Sequence, residues 1–280
     1  MTIQPIERFV DYRAAGVDAP KKPCSLLAYT LPSYGENGDV LRPAVIICPG
    51  GAYRWISDRE GEPVAQAFMA GGVSAYILSY TVAENGYFPC ALVEAFSAVR
   101  YVREHAKENR IDPERIYVCG FSAGGHAAAS AGVFWNHPIA EELGFSGAAH
   151  RPDGMILGYP VITGGAYAHK DSFRNLLGGA YSPKTVELTS LERRVNTGTP
   201  RTFLWHTAAD QSVPAQNALL FASALIEHGV ETELHLYPRG EHGLSTARFD
   251  VLTPNRYERD AYMLSSVPTW TADAIRFLFA

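Results

Sequence analysis

Cysteine is scarce in this chain and carries no paired spacing: Cys24, Cys48, Cys90 and Cys119 lie far apart, with no C-x-x-C among them. That argues against a thiol redox motif and against a zinc site built on cysteine. Cys48 and Cys119 fall in apolar runs, so free core thiols in a reducing compartment are expected. No pair of histidines has a metal-ligand spacing with supporting carboxylates, so no metal is expected. Runs of Lys and Arg are also missing, and the net charge is −5, which argues against nucleic acid or an anionic membrane surface as partner. No apolar run approaches the length of a membrane span. Met1–Arg8 lacks a basic stretch followed by an apolar core, so a cytoplasmic chain is expected. Internal repeats and low-complexity tracts are absent.

What is present is a chain long enough to bury a full core, with 47% hydrophobic residues in 280. One α/β domain over 1–280 is the plain expectation. Met1 to Pro23 is mixed and reads as an irregular surface arm. Ser25 to Leu31 reads as a strand, and Asn37-Gly38 as a turn. Ala44 to Cys48 is a continuous apolar strand, too hydrophobic to have a wet face. Further strands are expected at Val73 to Tyr80, Ile116 to Cys119, Met155 to Tyr159, Thr202 to Trp205 and Thr232 to Tyr237, the last as an edge strand. Helical spacing marks Glu60 to Met69, Pro89 to Lys107, the stretch after Ser122, Ala215 to Glu227 and Thr271 to Phe279. Strands alternating with helices imply a mostly parallel sheet covered on both faces. Thr163 to Thr199 is too long for a bare connection and reads as a small excursion or cap above the sheet. Leu244 to Val267 is a second insertion, and both are expected to wall a site at the carboxyl ends of the strands.

The stretch around which the rest is organised is Gly120-Phe-Ser-Ala-Gly-Gly-His126. A serine between glycines, with a strand before and a small-residue helix after, is the pattern of a nucleophile elbow. Such a turn lifts the Ser122 hydroxyl clear of the sheet and points a helix N-terminus at the place where a negative oxygen forms. The bland alternative is a Gly-Ser loop capping an ordinary helix.

A hydroxyl at neutral pH needs a base, and the base needs an orienting group. The chain order for this turn is serine, acid, histidine. Asp210 is the sole carboxylate between Arg201 and Glu227, and it follows a strand. His242 stands between Gly240 and Gly243 after the last strand, in a loop free to bend back toward the elbow. The alternatives are a helix cap for Asp210 and a surface-loop role for His242. His206 is expected to orient the acid loop, His126 to line the site or to pack, and His150 and His169 have no evident partner. Backbone N–H groups for a developing oxyanion are expected from Ala123 and from the loop Pro49-Gly50-Gly51-Ala52, which otherwise reads as a tight Pro-Gly turn.

Together these motifs resemble the alpha/beta-hydrolase superfamily, in its branch of acetyl esterases related to hormone-sensitive lipase. The likeness runs through Cys48-Pro-Gly-Gly-Ala-Tyr53, Arg59-Glu-Gly-Glu-Pro63, the elbow, Tyr159-Pro160, Asp210 with Val213-Pro214, and Gly240-Glu-His-Gly243. It implies an alpha/beta-hydrolase sheet of about eight strands, with Ser122 as nucleophile, Asp210 as acid and His242 as base. It also implies oxyanion donors at Gly51, Ala52 and Ala123. The chain departs from the His-Gly-Gly-Gly of those lipases: Pro49 stands for the histidine and Ala52 for the last glycine. The large N-terminal cap of those lipases is not expected here, since the arm before the first strand is short.

The expectation that follows is a serine carboxylesterase for short acyl groups, acetyl first, on a small-molecule alcohol for which a sugar is one candidate. Tyr53, Trp55 and Tyr159 are candidate pocket walls. No cofactor is implied, and the oligomeric state is open. Two alternatives remain: an amidase or peptidase on the same fold, which shares the chemistry, and a non-catalytic binding protein of hydrolase shape.

Overall fold

The computed structural model describes residues 1–32, 36, 40–251 and 265–280. The described residues build an eight-stranded sheet. Its strands are β1 (Thr2–Ile6), β2 (Ser25–Thr30), β3 (Arg42–Cys48), β4 (Ser74–Ser79), β5 (Ile111–Phe121), β6 (Gly154–Gly158), β7 (Arg201–Thr207) and β8 (Thr232–Tyr237), arranged β1-β2-β4-β3-β5-β6-β7-β8. From β4 across to β8 all pairs are parallel, whereas β1 and β2 add antiparallel at one edge. The helices include α1 (Glu62–Ala70), α2 (Cys90–Glu104), α3 (Ala106–Asn109), α4 (Ala123–Phe134), α5 (Pro138–Glu142), α6 (Lys170–Leu177), α7 (Pro183–Leu188), α8 (Gln216–Glu227) and α9 (Trp270–Phe279).

Successive strand side chains point to opposite faces, and here both faces are covered. Ile46, Leu78 and Val118 pack with Phe96, Ala128 and Phe221 of α2, α4 and α8. Val45, Ile47 and Cys119 pack on the other face with Phe68 of α1 and with Trp270 and Phe277 of α9. This double burial is why β3, β4 and β6 read as unbroken apolar runs. β8 closes the far edge, as its weaker hydrophobicity suggests.

One reading needs correction. The arm Met1 to Pro23 is not wholly irregular, because Thr2–Ile6 pairs with β2 from Thr2 against Thr30 to Ile6 against Leu26. An outer strand with four exposed residues and a half-buried Ile6 buries too little to show apolar alternation. Pro5 is tolerated there because an edge strand has one side without a partner. Farther along, the arm is tied down by Tyr12, whose hydroxyl donates to the buried Glu94 carboxylate at 2.6 Å. The expected Asn37-Gly38 turn lies outside the described residues, as do residues 252–264 of the second insertion.

Candidate active site

β5 runs out at Phe121, and Ser122 turns the chain into α4 with φ +53°, a left-handed conformation that a non-glycine residue adopts only under constraint. Its carbonyl accepts the N–H of Val161, and its own N–H is given to Gly158 O, so the strained turn is held from β6. The glycines beside it are required by space. A Cβ on Gly120 would lie 2.2 Å from Gly124 O, and one on Gly124 would lie 2.0 Å from Cys48 O.

Two loops at the carboxyl ends of β7 and β8 complete the constellation. His242 Nε2 lies 2.8 Å from Ser122 Oγ, and His242 Nδ1 lies 2.6 Å from Asp210 Oδ2. An ionised carboxylate can only accept, so Nδ1 carries the proton and Nε2 is left to take one from the serine. Asp210 is buried, and its other oxygen accepts the N–H groups of Ser212 and Val213, each at 2.9 Å. Burial pushes the Asp210 carboxyl up. The interactions with His206 and His242 and the Val213 N–H outweigh it and leave the group well below the ordinary carboxylate range. His206 does orient this loop, with Nε2 at 2.9 Å from Val213 O and 3.4 Å from Asp210 Oδ2.

The loop after β3 passes over Ser122. Gly51 and Ala52 line the same cleft as Ser122 and His242. No acceptor among the described residues takes the N–H of Gly51, Ala52 or Ala123. Ala123 is the first residue of α4, where a helix leaves its N–H groups unpaired and its dipole positive. Ala52 and Tyr53 both sit at φ +55°, so alanine takes up the left-handed backbone where glycine would be unstrained. A Cβ on Gly51, at φ +129°, would fall 2.0 Å from Trp55 O.

A buried network joins this loop to the histidine loop. The Glu60 carboxylate accepts the Gly50 N–H at 2.7 Å and the Tyr159 hydroxyl at 2.6 Å, while Tyr159 accepts the Ser245 N–H at 2.8 Å. Burial, with the Glu60 charge, holds the Tyr159 phenol far above its ordinary value, so it remains a donor. Arg59 donates from Nη1 to Gly243 O and Val251 O at 3.2 and 3.1 Å, stapling the chain just beyond His242.

Of the three aromatic residues expected as pocket walls, Trp55 alone lines the cleft; it is 56% exposed. Tyr53 and Tyr159 are corrected to packing positions. Tyr53 is buried with its hydroxyl 2.9 Å from His126 Nδ1, and Tyr159 sets its ring 5.1 Å from that of His242, edge to face. Both sit near strand ends, but their rings turn inward to satisfy polar partners. His126 likewise packs, giving Nε2–H to Thr189 O at 2.8 Å. Sequence reasoning gave no role to His169, Arg59 or Glu60, although Arg59 and Glu60 stand in one of the stretches that carry the resemblance. His169 lies within the 163–199 segment and lines the Ser122 cleft, its Nδ1 2.8 Å from Ser172 Oγ. The same segment sends Asn175 Nδ2 to Ala52 O at 2.9 Å. Glu60 reads in sequence as an ordinary acid in the first turn of a helix, and no local signal separates it from Glu62.

Residues 32–225 match the model of the family BD-FAE. The chain is 40% identical over 220 residues to endo-1,4-beta-xylanase B of Butyrivibrio fibrisolvens, a match covering 77% of this chain and 34% of that protein. It is 29% identical over 239 residues to an acetylxylan esterase of Xylanibacter ruminicola, covering 83% of this chain and 47% of the other. The chain therefore spans between a third and a half of the length of these two relatives. Among solved structures, an acetyl ester-xyloside bifunctional hydrolase from Caldicellulosiruptor lactoaceticus superposes with a TM-score of 0.76 at 37% identity, covering 91% of this chain and 87% of that one. A carboxylesterase from Lactobacillus plantarum WCFS1 superposes with a TM-score of 0.82 at 28% identity, covering 100% and 97%.

Proposed function

The chain belongs to the BD-FAE family of alpha/beta hydrolases, and from that membership we propose a serine carboxylesterase that removes short acyl groups, acetyl above all, from esters of sugars. The observation that carries the reading is the hydrogen-bonded line from Ser122 through His242 to Asp210, at 2.8 and 2.6 Å. The names of its relatives, acetylxylan esterase and acetyl ester-xyloside hydrolase, supply the acyl group and the class of alcohol.

In this reading His242 Nε2 takes the Ser122 proton as Oγ bonds to the ester carbonyl carbon. The carbonyl electron pair moves onto oxygen, where the N–H groups of Ala123, Ala52 and Gly51 receive it. The tetrahedral centre collapses, the bond to the alcohol oxygen breaks, and the alcohol leaves with the proton held by His242. Water, deprotonated by the same imidazole, then attacks the acyl-serine and releases the acid. The cleft around Ser122 holds about 210 Å³, below the roughly 300–1,000 Å³ usual for ligand pockets, which favours a short acyl group over a fatty chain. Residues 1–280 work as one catalytic domain, with 163–199 as a small cap supplying His169. The four free cysteines, three of them buried, favour a reducing compartment such as the cytoplasm. No helix among the described residues is long and apolar enough to cross a membrane.

Hydrolysis of nitrophenyl esters of increasing acyl length, beside acetylated sugars and one anilide, tests this. A steep fall beyond propionate with sugar acetates cleaved is the expected outcome. Rates rising toward long chains would sink the short-acyl reading, and silence on all esters with turnover of the anilide would make the protein an amidase.

A further inference from the structure

His169 enters the Ser122 cleft from the 163–199 segment and takes no part in the triad chemistry described above. It stands at the N-terminal end of α6, where its Nδ1 accepts the Ser172 N–H at 3.4 Å and lies 2.8 Å from Ser172 Oγ. A backbone N–H can only donate, so Nδ1 is an acceptor and the neutral ring carries its proton on Nε2. Burial first, then the His242 charge, lower this imidazole from its ordinary value against the pull of Asp171 and Asp210, so the ring is neutral at pH 7. Among the described residues no group pairs with Nε2. The helix behind the ring is firmly seated. Ser172, Phe173, Leu176 and Leu177 are buried, the Phe173 ring packs edge-on against that of His126 at 5.5 Å, and Asn175 ties α6 to Ala52 O at 2.9 Å. A donor held on a fixed element, without a protein acceptor and beside the reacting serine, is placed to meet an atom of the substrate.

Which atom it meets follows from where the ring stands. In acyl transfer at Ser122 the alcohol oxygen takes its proton from His242 Nε2, so the alcohol departs past His242. His169 is close enough to feel the charges of both His242 and Asp210. Ser212, two residues beyond Asp210, lines the same cleft, and its hydroxyl also has no partner among the described residues. The alcohol therefore leaves past an N–H and a hydroxyl that the protein does not satisfy. A purely hydrocarbon alcohol would strip water from both and return nothing, which penalises it against one that offers an acceptor. His242 already serves the ester oxygen, so the nearest oxygen left for a second imidazole is on the adjoining carbon. We propose that His169 is a specificity-determining residue whose Nε2–H donates to a hydroxyl on the carbon next to the ester-bearing one, so that monoesters of vicinal diols are preferred to alkyl esters of equal size. The proposal rests on the serine-esterase reading above and requires no sugar ring.

The test compares kcat/KM for 2-hydroxyethyl acetate and propyl acetate, which match in size and differ by one hydroxyl. Two variants remove the Nε2 donor in different ways. His169→Phe keeps a ring of similar size, and His169→Asn keeps a side chain that caps α6 while its amide stops short of the Nε2 position. The preference for the hydroxy ester is expected to fall about five- to tenfold in both variants, the worth of one hydrogen bond to the substrate. Each ratio is taken on one preparation, so a loss of folded protein or of general activity cancels, and so does the intrinsic reactivity of the two esters between wild type and variant. A preference that stays at the wild-type level in either variant overturns the role of His169 and leaves the esterase reading intact. Wild-type protein that cleaves neither acetate overturns the esterase reading, and the role of His169 with it.

Discussion

Tyr159 donates its hydroxyl to Glu60 at 2.6 Å and takes the Ser245 N–H at 2.8 Å, so one phenol oxygen holds the loop after His242 against the carboxylate that also holds Gly50. The loop of Gly50 to Ala52 and the histidine loop come from opposite ends of the chain. Their relative position is therefore fixed by buried polar contacts, with no covalent link between them.

Tyr159→Phe removes that oxygen and leaves a buried carboxylate oxygen and a buried N–H without a partner, which costs about 1–3 kcal/mol. Urea unfolding should show that loss. Steady-state kinetics on nitrophenyl acetate should show kcat down by about tenfold or more with KM little changed, because misplacement of reacting groups weakens the transition state more than binding. Glu60→Gln is expected to act alike, since one amide oxygen can serve Gly50 or Tyr159 but not both. Wild-type kcat in both variants would show that the network does not position the site.

The meeting of Ser122, Asp210 and His242 was legible because a hydrogen-bonded serine, histidine and carboxylate needs one residue type at each of three places at the carboxyl ends of strands. The buried strands were legible for a related reason: covered on both faces, β3 carries only apolar side chains from Ala44 to Cys48, and β4 only Ala75, Tyr76, Ile77 and Leu78 between its two serines. β1 was not, because an edge strand lying largely in solvent has no composition to betray it. The inward turn of the Tyr53 and Tyr159 rings was equally hidden. It depends on His126 and Glu60, which are distant in sequence, and on a fold that decides which acid is buried.

Asp210→Asn should reduce kcat by on the order of 10⁴, because an amide no longer enforces the Nδ1–H tautomer of His242. Its effect on stability has a defined pH dependence. The folded carboxyl titrates below its ordinary range, so its stabilising share is full above the unfolded value near ~4 and is lost as pH falls below that. Unfolding measured from pH 7 to 3 should show the gap between wild type and variant constant down to about 5 and narrowing below ~4. A gap that widened in acid would contradict this assignment.

His126 titrates in a different window. Burial between Tyr53 and Thr189 pushes its imidazole down from 6.5 to about 4, against the pull of the Thr189 carbonyl. The unfolded chain takes up the proton first as pH drops, so stability falls between these two values. At about 1.36 kcal/mol per pH unit the loss is about 3 kcal/mol. His126→Gln, followed by chemical unfolding at pH 7, 6, 5 and 4, should show a shallower slope over that window whatever its absolute stability. An unchanged slope would mean that His126 takes up its proton in the folded protein no later than in the unfolded chain, so that its burial does not disfavour the charged ring.

Gly124 tests whether the elbow is fixed by backbone contact. A methyl there would overlap Cys48 O at 2.0 Å and Pro49 O at 2.3 Å, both main-chain atoms that cannot swing aside as a side chain can. Relief requires the end of β3 to retreat, and β3 carries Gly51 and Ala52, the proposed oxyanion donors, with it. Gly124→Ala should therefore lower the melting temperature by several degrees, equivalent to about 1–3 kcal/mol for overpacking. Any folded fraction should lose kcat through displaced oxyanion donors. Gly179→Ala is the matched control: nothing lies within 4 Å of the added carbon, and its melting temperature and activity should equal those of wild type. If Gly124→Ala behaved like that control, the close approach of α4 to β3 would have to be looser in solution than 2.0 Å implies.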